Sequence, residues 1–201
     1  MNKQRLEAFS DGVYAIVITL LILDVRIPQV QASALGAALI GMLPQIFTYV
    51  LSFFVVGLYW FSNHRVSHQV KKLDGTLIWL NLVWLLFVSV MPFPTSLLGR
   101  YPLQVIPITI YGADLILTNM TGLVITVYLK RYSELTEAPI SSQTLWRLVP
   151  VYVISNGTYI IAIGISWIFP LGSYLLYALI LGWLMVRYAR ITNPFQPGKA
   201  K

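Results

Sequence analysis

The chain has 201 residues, of which 57% are hydrophobic and 10% charged, with a formal net charge of +7 and mean hydropathy +0.73. A soluble domain carries about 25% charged residues, so polar surface is too scarce for a water-facing globule and the composition reads as an integral membrane protein. The absence of cysteine excludes a disulfide framework and a thiolate metal site; His64 and His68 alone cannot build a zinc site.

A membrane span needs about 20 mostly apolar residues, and six segments of the chain qualify. The first is 5–25. It begins in the polar run Arg5-Leu-Glu-Ala-Phe9-Ser10-Asp11-Gly12, passes without a break into Val13–Leu23, and stops before Arg26 and Pro28. No small-residue cleavage site follows it convincingly, so it is not read as a signal peptide. The segment 31–43 is short and rich in small residues, an interfacial turn or the start of the next helix. Pro44 kinks or initiates the second span, which covers 44–64 and ends in Trp60, Asn63 and His64. The third, 77–98, holds Asn81 and Pro92-Phe93-Pro94. The fourth, 105–129, holds Asp114 and Asn119. The fifth and sixth are 145–169 and 172–189, and the tail from Asn193 reads as irregular. The whole chain is expected to form one six-helix domain, all-α, with no soluble domain beside it.

Basic residues in short loops set orientation. With the N-terminus inside, the inner side holds 12 of the 14 Lys and Arg residues, and the outer side only Arg26 and Arg100. Both termini are therefore expected in the cytoplasm. The same bias accounts for the net charge as a topology signal and leaves no need for a nucleic-acid partner.

On a helical wheel of about 100° per residue, with Ile16 at zero, Leu20 falls near 40°, Leu23 near −20° and Thr19 near −60°. Asp11 falls at about 220°, Ser10 at about 120° and Arg5 at about −20° on the same wheel. The first helix thus carries an apolar ladder, Ile16–Leu20–Leu23, with Ser10 and Asp11 aimed elsewhere. Core packing or lipid contact explains such a stripe, and so does a pore lining. Asp11, placed in the bundle near its inner end, needs a donor or a cation. Candidates are Arg5, Trp60, His64 and Asn81, in a structural staple between helices or a proton relay.

Arg5-x-x-x-Phe9-Ser10-Asp11, with Trp60 and Asn63-His64 closing the second span and Pro92-Phe93-Pro94 in the third, resembles the signature of the transmembrane protein 175 family of endosomal and lysosomal potassium channels. The resemblance implies the single-repeat prokaryotic form, assembled as a homotetramer in the plasma membrane with the first helix lining a pore on its axis. It places the constriction at Ile16, with Leu20 and Leu23 on the next turns and Thr19 tied to potassium preference. Ala15 stands where some members have serine, which implies weaker selectivity. Arg5, Phe9, Ser10, Asp11, Trp60, His64 and Asn81 form its structural polar network. Asp24 is a carboxylate ring at the pore mouth, a simple helix-end charge or a partner of Arg26. Potassium is the permeant ion, near Ile16, Thr19, Leu20 and Leu23, and no cofactor is expected.

The expected function is therefore a potassium-permeable cation channel. The alternative is a proton-coupled secondary transporter using Asp11 and His64 or Asp114, although no inverted repeat is visible. A membrane enzyme is not expected, because no Gly-x-Ser-x-Gly or His-Glu-x-x-His pattern occurs. A scaffold without transport is the remaining class.

Overall fold

A computed structural model describes residues 2–26, 28–140 and 142–190, without the side chains of 143–145, 147, 189 and 190. The irregular tail expected from Asn193 lies outside them. Eight α-helices are present among the described residues: α1 Lys3–Leu23, α2 Leu35–Gly41, α3 Leu43–Gln69, α4 Gly75–Val90, α5 Pro92–Arg100, α6 Val105–Arg131, α7 Ser142–Ile165 and α8 Pro170–Arg190. Taking α4 and α5 as one span, six are long and apolar enough to cross a membrane.

The element boundaries follow from local chemistry. Asn2 caps α1 by accepting from the Gln4 N–H, and Asp74 caps α4 by accepting from the Leu77 N–H at 2.8 Å. Pro44 sits in the first turn of α3, where its missing N–H is harmless, so it initiates the helix rather than kinking it. The segment 31–43 is neither a plain turn nor the start of α3. Ala32–Ala34 forms a 3₁₀ turn and α2 follows as a separate helix.

Three expected spans change shape. The second runs on to Gln69, because polar residues continue the helix until Val70 turns extended and pairs with Thr136. The third breaks at Met91, since Pro92 and Pro94 lack the N–H groups that would continue α4. The fifth stops at Ile165, and Pro170 starts α8 after a short turn.

Helix α6 is the centre of the bundle, with 56% of its most apolar window buried against 28–33% for the other five spans. It packs against α4, α5, α7 and α8, while α1 packs on α3, α4 and α5. At one end the start of α1, the end of α3 and the start of α4 line a common cavity through Lys3, Leu6, Val70, Leu73 and Leu77. There the α3–α4 link meets the α6–α7 link, with the Lys71 N–H donating to the Leu135 carbonyl at 2.7 Å. At the opposite end Arg100, closing α5, reaches Asp24, just past α1.

Candidate functional site

Helix α1 has two faces of different character. Leu6, Ser10, Tyr14, Val17 and Leu21 are buried, at helical spacing, against the bundle. Two hydrogen-bonded lines hold this face. The Trp84 indole N–H donates to the Tyr14 hydroxyl at 2.6 Å. The Asn81 amide donates to Ser10 Oγ at 3.1 Å, and Asn63 donates to Asn81 Oδ1 at 3.0 Å. Ser10 in turn donates to the Leu6 carbonyl.

A second face is open. Ile16 is 59% exposed, Leu20 42% and Leu23 67%, and Arg5, Phe9, Ala15 and Thr19 are exposed beside them. The ladder is therefore not packing within the chain, which leaves lipid, a second copy or a pore as its neighbour. Thr19 donates its hydroxyl proton back to the Ala15 and Ile16 carbonyls, at 3.0 and 2.8 Å. Its oxygen is left as an acceptor, suited to a cation.

The residues expected in one polar network occupy three places. Ser10 and Asn81, with Asn63, form the buried line. Asp11 lies at the surface, where the Trp60 indole N–H donates to Asp11 Oδ1 at 2.9 Å and the Trp60 ring stacks on His64 with centroids 5.7 Å apart. Arg5 and Phe9 belong to neither group. On the wheel the buried residues centre near 120°, Phe9 falls at about 20° beside Arg5, and Asp11 sits about 100° off the buried centre. Asp11 is thus exposed on the flank of α1, contrary to its expected burial.

One further expectation is corrected. Asp24 pairs with Arg100 at 3.5 Å and not with Arg26, because the end of α5 closes on the end of α1. That pairing offsets the charge expected of a pore-mouth carboxylate. Asp114 and Asn119 are buried in α6, and Asp114 Oδ2 has no hydrogen-bond partner among the described residues. Sequence reasoning missed Tyr14 and Trp84 and gave Asn63 no place in the network, although Tyr14 stands one turn beyond Ser10 on the same face. Among the described residues no group of three His, Cys, Asp or Glu side chains forms a metal centre.

The family profile described as endosomal/lysosomal potassium channel TMEM175 matches residues 5–92, which hold the Arg5–Asp11 motif and nearly all of α1, with α3 and α4 entire. A potassium channel of Chryseobacterium sp. is 35% identical over 192 residues, covering 92% of this chain and 94% of that protein. The chain belongs to the TMEM175 family. The endosomal/lysosomal proton channel TMEM175 of Mus musculus is 42% identical over 114 residues, 51% of this chain but 23% of the mouse protein. Among solved structures, that of a lysosomal potassium-selective channel TMEM175 homolog from Chamaesiphon minutus superposes with a TM-score of 0.81. Its identity is 25%, over 92% of this chain and 97% of that one. These TMEM175 relatives are ion channels and not enzymes, and the six apolar helices of this member make it an integral membrane protein.

Proposed function

We propose that this TMEM175 member is a potassium-permeable channel of the prokaryotic plasma membrane, built as a homotetramer in the lipid bilayer with α1 on the axis. One observation carries the reading: the exposed ladder Ile16–Leu20–Leu23 lies outside the hydrogen-bonded, buried face of α1, about 110° round the helix from its centre. A helix fixed on one side and apolar on the other supplies a rigid wall for a narrow passage. Four Ile16 side chains would close an apolar ring, and such rings gate by dewetting. A slightly open ring makes a cation shed part of its water, and potassium gives up water more readily than sodium. Thr19, with its proton tied to the backbone, presents its oxygen one turn further on. No cofactor is called for.

Flux into liposomes tests this. The purified chain should pass potassium down an electrical gradient in the absence of a proton gradient. Ile16→Asn should change conductance or ion preference, while Leu179→Asn, 69% exposed on α8, should leave the permeation properties alone. Strict coupling of potassium movement to protons, or equal effects of the two substitutions, would overturn the reading.

A second reading is proton movement, favoured by the similarity to the mouse proton channel. A pH-sensing dye in the same liposomes separates the two. Proton-coupled transport through Asp11 and His64 requires that Asp11→Asn abolish proton entry.

A further inference from the structure

The chain contains two histidines and no cysteine, and both histidines stand in one place. His64 and His68 are one turn apart on the last part of α3, so they project from the same face. Both are exposed. Their Nε2 atoms lie 3.1 Å apart, with ring centroids at 4.4 Å and planes at 85°. The His64 ring is further held by its stack on Trp60, whose indole N–H is fixed on Asp11.

We propose that His64 and His68 form a two-imidazole chelate for a borderline divalent transition-metal ion. Metal–imidazole bonds of about 2.0–2.1 Å and a bite of 3.1 Å close a nitrogen–metal–nitrogen angle of about 98°. That value lies between the right angle of a tetragonal centre and the wider angle of a tetrahedral one. The two Nε2 atoms already lie at chelating distance, so little rearrangement of the helix precedes binding. In the empty pair one ring donates its Nε2 proton to the other. Capture of a metal needs both Nε2 lone pairs, so the donor ring moves that proton to Nδ1 and keeps its neutral charge.

Two imidazoles fall short of a closed four-ligand zinc site, which is all that the composition excluded. Water fills the remaining positions, since no cluster of three ligating side chains occurs among the described residues. A site with that open sphere imposes little geometry. Its preference therefore follows the intrinsic order for nitrogen donors, with copper(II) above nickel(II) and zinc(II). Binding ties the last turns of α3 together and, through His64 and Trp60, braces the contact with Asp11 on α1. The inference is independent of the channel reading, because its readouts are binding and spectroscopy.

The test uses the full chain in detergent, carried on an affinity tag without histidine, titrated with copper(II) and followed by electron paramagnetic resonance. The expected spectrum shows superhyperfine coupling to two equatorial nitrogens, and nickel(II) competes better than cobalt(II). His68→Gln should leave one coupled nitrogen and weaken binding about 10²-fold, the loss of an intramolecular second ligand. His68 does not stack on Trp60, so the metal-free melting midpoint should not move. His64→Gln should give the same one-nitrogen spectrum by the other route. A wild-type spectrum without two-nitrogen coupling, or one that neither substitution alters, would overturn the site.

Discussion

Ser10 and Asp11 are neighbours in sequence and opposites in environment. Ser10 is 3% exposed and lies at the centre of the buried face of α1, and Asp11 is on its flank in contact with Trp60. Burial decides what each hydrogen bond is worth, because a buried group that loses its partner has no water to replace it. Asn81, 7% exposed, serves two partners at once, donating to Ser10 and accepting from Asn63. Asn81→Ala should therefore cost about 1–3 kcal/mol, read as a lower thermal midpoint in detergent. Asp11→Ala should cost clearly less. Equal losses would mean that the buried line does not hold α1 in place. The wheel made half of this legible. It aimed Ser10 away from the ladder, and the same wheel puts Val17, at about 100°, on the face that the structure buries. Val17 is 2% exposed and therefore a core residue, whereas Leu179, 69% exposed, serves as the exposed control. What the wheel could not supply is which neighbour meets each angle. The pairing of Asp11 with Trp60, or of Asp24 with Arg100, depends on how α3 and α5 dock.

The docking of α1, α4 and α6 turns on one close approach between elements. Gly122 on α6 faces the Trp84 ring of α4 so closely that a Cβ at 122 would collide with it. Small residues let membrane helices approach in this way. Trp84 in turn donates to Tyr14 on α1, so a single ring sets the spacing of three helices. Gly122→Ala should displace that ring and destabilise by about 1–3 kcal/mol. In a Trp84→Leu background the same change should cost much less, and a double-mutant cycle gives the difference. Additive effects would show that the ring does not set the spacing. Periodicity and hydropathy showed that six spans exist. They could not show this seam, since a glycine inside an apolar run is silent about its neighbour. Nor did they show the break at Met91, which depends on whether the freed carbonyls of α4 find other partners. The overrun of α3 past His64 was equally hidden, because hydropathy locates a bilayer and a helix is free to continue beyond it.

For the whole molecule, the two ends of the bundle differ in charge. Lys3, Lys71, Lys72, Lys130 and Arg131 belong to the end where α1 starts and α3 finishes, and Arg100 to the other. Basic loops stay in the cytoplasm, and the cysteine-free sequence allows each end to be tagged singly. A membrane-impermeant maleimide should label Gln104→Cys in intact cells and Lys72→Cys only after permeabilisation. The reverse pattern would invert the topology.

The same background tests assembly. The exposed side of α1 is wide and apolar, with Phe9, Ile16, Leu20 and Leu23 each more than 40% exposed, and lipid alone could cover it. The arrangement argues for more than lipid, because Arg5 shares that stripe and a charge facing acyl chains is costly. Around a central axis the stripe would meet its own copies and water. Closed cyclic symmetry puts identical positions near one another around the axis, so oxidation of Leu23→Cys should yield covalent dimers within a tetramer. Leu179→Cys, on the far helix α8, should remain monomeric on the same denaturing gel. Native mass spectrometry of the unoxidised protein should give four copies. Cross-links at position 179 with none at 23 would place α1 on the outside and remove the pore from this helix.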